Sequence, residues 1–178
     1  MRIVGRGPPE AMLLPLGLAV FSGIVEELLF RGLVFRLIER SWGTWIALAC
    51  SAVPFGIIHL LNPHATVAGA LAIIFEAGIL LGAAYLLTRR LWLPMGLHAA
   101  WNFTQSGVFG IAVSGNEMQG WLHSELRGPD WLSGGAFGAE GSVVALAVCL
   151  VAGLLLLRSA YARGRFLSYA GQRALARS

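Results

Sequence analysis

The feature that most constrains this chain lies in residues 23–32, where ionisable side chains interrupt an apolar run that extends from residue 12 to residue 35. Glu26, Glu27 and Arg31 fall within six consecutive positions. An ionisable group at membrane depth costs at least a few kcal/mol, so it is rare there and by default marks a functional site. Three such groups in so short a stretch need specific partners.

Helical spacing divides these three residues into a pair and a single residue. Glu27 and Arg31 are four positions apart and share a helix face, which is the right spacing for an ion pair. Glu26 points about 100° away from Glu27 and can face something else. An ion pair that only fixes the helix register would explain Glu27 and Arg31, but it would leave Glu26 alone in a dry environment.

The composition places the chain in a lipid bilayer. Its residues are 57% hydrophobic and 12% charged, whereas soluble domains carry about 25% charged residues. The net charge of +4 comes from 13 arginines, without any lysine. These arginines lie mostly between apolar runs and in the tail, and they do not form the basic patch of a nucleic-acid-binding module. We therefore expect an integral membrane protein with the lipid bilayer as a partner and no nucleic acid.

Five apolar runs are candidates for crossing the membrane, which takes about 20 residues. They cover residues 11–35, 43–61, 66–88, 92–112 and 141–157, and some are marginal in length. We predict an all-α, polytopic transmembrane helix bundle with about five membrane-spanning or membrane-embedded helices, in a single integral membrane domain over residues 1–178. The segment 113–140 contains glycine, proline and several acidic residues (Glu117, Glu125, Asp130 and Glu140), so we predict an extramembrane loop there.

The distribution of arginine predicts the orientation of the bundle. If the first run crosses inward, one side receives Arg36, Arg40, Arg89, Arg90, Arg158, Arg163, Arg165, Arg173 and Arg177, and the other receives Arg2, Arg6 and Arg127. The positive-inside rule then puts the amino terminus outside and the basic tail, 158–178, in the cytoplasm. The exclusive use of arginine and the short loops suggest a bacterial plasma membrane.

Further polar residues recur inside the apolar runs at helical spacing. His59 follows Phe55 by four positions, and Asn102 follows His98 by four, so His98 and Asn102 share one helix face. A lone histidine in an apolar helix is more often a hydrogen-bonded packing residue than a ligand. Here, however, the histidines, the asparagine and the three ionisable groups of the first run lie in three membrane helices and need one another as partners.

Together these groups supply what peptide hydrolysis requires. A carboxylate can take a proton from water as a general base, a histidine can hold that water or a metal ion, and an asparagine amide can donate to the oxyanion. The HExxH signature of zinc proteases and the GxSxG elbow of serine hydrolases are absent from the sequence. A transporter or proton relay, or an immunity or scaffold protein without turnover, could use the same buried network.

The ordered motifs resemble those of a known family. Glu26-Glu27-x-x-x-Arg31, Phe55-x-x-x-His59 and His98-x-x-x-Asn102, within about residues 20–105, are similar to the motifs of the CAAX protease and bacteriocin-processing (Abi-type) intramembrane proteases, which include the type II CAAX prenyl endopeptidases. The resemblance implies a helical intramembrane endopeptidase that acts on a membrane-associated or lipidated peptide or protein. By the same resemblance, Glu26 activates water together with His59 and His98, Asn102 is the oxyanion partner, and Glu27 and Arg31 support the site.

The sequence leaves open whether the protein needs a metal cofactor. The family is often labelled as metalloproteases, and Glu26, His59 and His98 would suffice to hold zinc with one open position. A metal-free mechanism also fits, and we favour it because none of these three residues shares a helical turn with another, unlike the paired ligands of HExxH. Glu76, in the third run, matches no motif of the family. We expect it to line the cavity or to bond a neighbouring helix.

Overall fold

The chain is described here from a computed structural model over residues 1–169. It is mainly helical, with one small sheet. Within those residues the strands and helices are β1 Arg2–Arg6, α1 Pro9–Trp42, α2 Thr44–Leu61, α3 Val67–Thr88, α4 Trp92–Phe103, β2 Leu122–Glu125, α5 Asp130–Ser133 and α6 Val143–Ala162. Short 3₁₀ turns begin α1 and end α2, and two more, Gly135–Phe137 and Ala139–Gly141, precede α6.

Four of these helices are long and apolar enough to cross a membrane, namely α1, α2, α3 and α6. The prediction of an all-α polytopic bundle is therefore confirmed. The fourth apolar run, 92–112, forms a shorter helix, because α4 and its extension Thr104–Val108 end before Gly110. Gly110 has φ of 61°, and a Cβ there would lie 2.2 Å from the carbonyl oxygen of Leu122, so the turn requires glycine.

Three segments of π-helix lie near polar residues in the described part of the chain. They are Leu28–Phe35 within α1, Ile74–Gly78 within α3 and Thr104–Val108 after α4. The first contains Arg31 and the second contains Glu76. Such segments are rare in proteins and frequently lie at functional sites.

The small residues of α3 let α2 pack closely on it. A Cβ at Gly78 would lie 2.6 Å from the Ala52 side chain, and one at Gly82 would lie 2.6 Å from Leu48. Close contact between backbones is how membrane helices gain packing energy when lipid supplies no hydrophobic driving force. On its other side α3 contacts Gly153 of α6, so α3 lies at the centre of the bundle.

The segment 113–140, predicted as a loop, contains regular structure. Its strand β2 pairs antiparallel with β1, with Arg2 opposite Glu125 and Arg6 opposite Leu122. This sheet was not predicted, because β1 is only five residues long and its partner lies far along the chain. Glu140 also departs from a solvated loop, since it is buried with 3% of its surface exposed.

The two ends of the bundle differ in charge. The loop end comprises the sheet, residues 109–142 and the turn between α2 and α3. The arginine end comprises the turns between α1 and α2 and between α3 and α4, together with the end of α6. Among the described residues the arginine end carries Arg36, Arg40, Arg89, Arg90, Arg158, Arg163 and Arg165, against Arg2, Arg6 and Arg127 at the loop end. Helix α6 continues to Ala162, so the predicted tail, 158–178, begins as helix, and residues 170–178 lie outside the described part.

An ion pair ties the arginine end together. Arg89 donates to both carboxylate oxygens of Glu39, at 2.5 and 3.1 Å, and the hydroxyl of Thr44 donates to Glu39 Oε1 at 2.6 Å. Because Glu39 lies on α1, Thr44 on α2 and Arg89 after α3, these bonds join the inter-helical turns at that end.

Candidate active site

The four residues predicted to carry chemistry lie on the wall of one cavity. The cavity has a volume of about 410 Å³ and lies in the loop-end half of the bundle. Glu26 comes from α1, His59 from α2, and His98 and Asn102 from α4. If each apolar run crossed the membrane as a full-length helix, His59 and His98 would lie at different depths in the bilayer. Here, α2 ends in a 3₁₀ turn at His59 and α4 is short, so both histidines reach the same cavity.

A close approach of α1 and α4 sets the distance between the glutamates and His98. A Cβ added at Gly23 would lie 3.1 Å from the backbone N and the Cβ of Ala99, and 3.1 Å from the carbonyl oxygen of Met95. Only glycine lets the two backbones come so near without a shift. The next turn of α1 then presents Glu26 and Glu27 to His98.

Glu27 and Arg31 form the ion pair predicted from their spacing. Arg31 Nη1 donates to Glu27 Oε1 at 2.6 Å, and both side chains are 0% exposed. Arg31 Nη2 also donates to the carbonyl oxygens of Ala77 and Gly78, at 3.1 and 3.3 Å, at the end of the π segment of α3. The guanidinium therefore joins α1 to α3 as well as neutralising Glu27.

Glu27 has a second contact that the sequence did not predict. Its Oε1 lies 3.2 Å from His98 Nδ1. An ionised carboxylate can only accept, so Nδ1 donates to it, and in the neutral ring Nε2 is then the acceptor nitrogen. That Nε2 lies 3.9 Å from Glu26 Oε2. Glu27 thus fixes the tautomer of the ring that faces Glu26.

Glu26 is the carboxylate left open to the cavity. Its side chain is 32% exposed, and among residues 1–169 its Oε2 is buried without a hydrogen-bond partner. The 3.9 Å to His98 Nε2 is too long for a direct hydrogen bond. A separation of this kind is suited to a bridging water.

His59 has the same tautomer as His98. Its Nδ1 lies 2.7 Å from the carbonyl oxygen of Phe55, one helical turn earlier. Because a carbonyl only accepts, Nδ1 donates, and in the neutral ring Nε2 is then the acceptor nitrogen. The spacing Phe55-x-x-x-His59 therefore orients the ring.

Asn102 is held by a residue that sequence reasoning missed. Its Nδ2 donates to Ser22 Oγ at 3.1 Å, and Ser22 Oγ donates to the carbonyl oxygen of Ala19 at 3.3 Å. The asparagine amide keeps a second N–H. Ser22 precedes Glu26 by four positions on the same face of α1, and that spacing was the signal available for it.

The sequence matches the model of one known protein family. A model of the type II CAAX prenyl endopeptidases, described as Rce1-like, matches residues 8–104. The chain belongs to the Rce1-like family. The match covers more than half of the chain and includes Glu26, Glu27, Arg31, His59, His98 and Asn102. No curated protein and no solved structure matched the chain.

The Rce1-like family consists of CAAX-type intramembrane proteases, in agreement with the resemblance of the motifs. With four helices of membrane-spanning length and character, this Rce1-like chain is an integral membrane protein. The matched region ends at residue 104. Ser114 and Glu140, at the loop end, lie beyond it.

The residues considered for zinc, Glu26, His59 and His98, all line the cavity of the Rce1-like chain. Within residues 1–169 no three or more histidine, cysteine, aspartate or glutamate side chains are grouped so that they could hold a metal ion. Glu26, His59 and His98 are therefore not grouped as three zinc ligands in this structure. No step proposed below passes through a metal.

A second pair of carboxylates lies on the wall of the same cavity. Glu140 accepts hydrogen bonds from Trp101 Nε1 at 2.7 Å, Gln105 Nε2 at 3.0 Å and Ser114 Oγ at 2.5 Å. Glu76 is 2% exposed, and its Oε2 has no partner among the described residues. The expectation that Glu76 lines the cavity agrees with its position. No motif in the sequence indicated Glu140.

Proposed function

We propose that this chain is an intramembrane endopeptidase that hydrolyses a peptide bond with a water molecule activated by Glu26. The observation that carries the proposal is the distance of 3.9 Å between Glu26 Oε2 and His98 Nε2, on two residues that line the same cavity. Family membership supports a protease in general. The roles of individual residues below are part of the proposal.

The pair of acceptors defines how a water would be held. A water between Glu26 and His98 donates one hydrogen to each, so its lone pairs point away from both toward a substrate carbonyl. His59 Nε2, which also lines the cavity, is a further acceptor on this wall. Holding the attacking oxygen in one orientation removes part of the entropic barrier.

Glu26 then acts as base and acid in turn. It takes a proton from the water as the oxygen attacks the scissile carbon, and the amide N–H of Asn102 donates to the oxyanion that forms. The carboxyl of Glu26 next passes its proton to the leaving nitrogen, and the C–N bond breaks. One water is consumed, and a carboxylic acid and an amine are released. Glu27 and Arg31 contribute by holding His98, without touching the substrate.

Features of the cavity wall support a substrate that arrives from the membrane. Phe21 on α1 and Leu97 on α4 line the cavity and are also exposed, by 65% and 38%. In a bilayer these side chains face lipid, so an apolar or lipidated segment can reach the cavity from the side. A cavity of about 410 Å³ also holds far more than one water, which occupies about 30 Å³ in the liquid.

The charge of the two ends supports a particular face for the reaction. Residues of the loop end, Val113 to Met118, contribute to the cavity wall, and the arginine end lies opposite. By the positive-inside rule, the arginine end faces the cytoplasm. We therefore propose that the carboxyl terminus is cytoplasmic, in a bacterial plasma membrane, and that cleavage occurs in the half of the membrane away from the cytoplasm.

A transporter or proton relay needs a polar path to both faces of the membrane. The apolar core between the two ends of the bundle argues against such a path. An apolar cluster lies toward the arginine end, formed by Phe35, Ala47, Leu48, Ala83, Tyr85, Leu86, Leu157 and Ala160. The polar groups of the cavity lie in the loop-end half, and Glu39 with Arg89 forms a separate network beyond the cluster. An enzyme needs only the one opening. A scaffold or immunity protein would share the geometry and lack turnover.

The test is product analysis with the purified protein in lipid nanodiscs. The protein is incubated in H₂¹⁸O with single-span peptides, with and without hydroxylamine. We expect two fragments, one ¹⁸O atom in the new carboxyl group, and no hydroxamate, because water attacks directly. Accumulation of a hydroxamate would indicate an acyl-enzyme and overturn the mechanism. Absence of cleavage across the peptide set would favour the non-enzymatic alternatives.

A further inference from the structure

One part of the cavity wall, which carries Glu76 and Glu140, has no role in the proposed activation of water. These two carboxylates are 2% and 3% exposed, and both line the cavity. The mechanism proposed for Glu26 uses neither of them, and Glu140 lies beyond the region matched by the family.

Glu140 accepts three side-chain hydrogen bonds. Its Oε1 accepts from the ring N–H of Trp101 and the amide of Gln105, and its Oε2 accepts from the hydroxyl of Ser114. Three donors on one carboxyl group stabilise the negative form. All three donors are neutral, so the charge itself is not compensated. Among residues 1–169 no arginine or histidine forms an ion pair with Glu140 or Glu76.

Glu76 is the unsatisfied member of the pair. Its Oε2 is buried and has no hydrogen-bond partner among the described residues, and Ala77 and Leu80 line the same cavity. Arg31 holds this π segment in place through the carbonyls of Ala77 and Gly78. A buried carboxyl group without a donor is costly, and here it is fixed in position and faces an open volume.

We infer that Glu76, with Glu140 beside it, forms an acidic subsite that binds a basic side chain of the substrate, a lysine or an arginine close to the scissile bond. An ammonium or guanidinium group would supply the N–H donors that are missing at Glu76. It would also supply the positively charged partner that is missing at Glu140. The apolar wall, with Leu80 and Ile73, suits the methylene stem of such a side chain. This inference rests on the proposed protease function, because it assigns the cavity's occupant as a peptide.

A bound metal ion fits the same two residues less well. Both oxygens of Glu140 already accept hydrogen bonds, and the described residues provide no group of three metal-binding side chains. Ca²⁺ takes 6–8 oxygen ligands. An organic cation needs only one free carboxylate oxygen and a nearby negative charge.

The experiment scans a membrane peptide that the wild type cleaves in nanodiscs. Each position flanking the cut is changed in turn to lysine or to methionine, which has a similar length without charge. We expect one position at which lysine raises kcat/KM by about tenfold or more over methionine. In Glu76→Gln that ratio should fall to about one to threefold, and Glu140→Gln should reduce it as well. Glu117→Gln, an exposed change in the same loop-end segment, is the matched control and should keep the wild-type ratio.

The outcomes separate this inference from the proposed function. Cleavage without any preference for lysine, or a preference that persists in Glu76→Gln, overturns the subsite and leaves the protease intact. A preference that disappears on chelation and returns with Ca²⁺ or Zn²⁺ also overturns it, in favour of a metal. If no peptide is cleaved, the protease proposal fails, and binding of the lysine and methionine peptides to wild type and Glu76→Gln still decides the subsite.

A measurement on the wild type alone guards against variants that do not fold. Cleavage of the methionine peptide is measured with increasing n-butylammonium, and n-butanol serves as the neutral control. The subsite predicts inhibition by the cation at concentrations about tenfold or more below those of the alcohol. Equal inhibition by the two compounds would overturn the inference.

Discussion

The carboxylate of Glu27 lies 3.2 Å from Nδ1 of His98. The same oxygen accepts from Arg31 at 2.6 Å, so one buried atom links a structural ion pair to the ring that faces Glu26. The two adjacent glutamates therefore have different tasks. Glu27 organises the protein around His98, and Glu26 remains open to the cavity.

This link predicts that Glu27 matters more for stability than Glu26. Glu27→Ala leaves Arg31 buried without its partner, and breaking a buried pair from one side costs roughly 3–5 kcal/mol. Glu26→Gln keeps the shape of a half-exposed side chain and should melt close to wild type. Thermal unfolding of the detergent-solubilised proteins compares them directly. If Glu27→Ala melts like wild type, the ion pair does not hold the fold.

The close approach at Gly23 predicts a position-specific loss of activity. Gly23→Leu must push α1 away from Ala99 and Met95, which separates Glu26 from His98. A displacement of about 1 Å can cost on the order of 10²-fold in rate. Gly17→Leu is the matched control on the same helix, since nothing lies within 4 Å of a Cβ at Gly17, and its kcat should stay near that of wild type. Similar rates for the two variants would show that this contact does not set the geometry.

The polar residues are conspicuous in the sequence because burying them in lipid is so costly. Glu26, Glu27, Arg31, His59, His98 and Asn102 stand out inside apolar runs, and they line or border one cavity. The ion pair followed from a spacing of four residues. The apolar runs likewise predicted the helices, apart from the shorter helix in the run 92–112.

Features that depend on contacts between residues far apart in the chain were not predicted from the sequence. The pairing of β1 with β2 and the contact of Glu140 with Trp101 join residues far apart in the chain, and local patterns carry no record of them. The π segments have no distinctive composition that would predict them. The contact of Glu27 with His98 required the helix crossing at Gly23.

The unequal distribution of arginine predicts the topology. A reporter fused after Ser178 should be active in its cytoplasmic form, and a reporter inserted near Gly120, at the loop end, should be active in its external form. The pair of fusions controls for expression, because each reporter reads positive on only one side. Opposite readings would invert the orientation and place the cavity in the cytoplasmic half.

The donor geometry predicts little zinc in the purified protein. Glu26, His59 and His98 come from three different helices, and none shares a turn with another, so the chain offers no preorganised pair of ligands. Elemental analysis of protein purified without chelators should find well below one zinc per chain. About one zinc per chain, together with activity that is lost to chelation and restored by zinc, would establish a metalloprotease instead.

The central claim is that Glu26 is the base that activates water. The most direct measurement is the cleavage rate of Glu26→Gln beside wild type and Glu10→Gln, an exposed glutamate near the start of the same helix, all in nanodiscs with one peptide. Because the swap keeps the shape and removes the proton acceptor, we expect the rate to fall by about 10²–10⁴-fold, while melting and peptide binding stay near wild type and Glu10→Gln remains active. Full activity in Glu26→Gln would contradict the account.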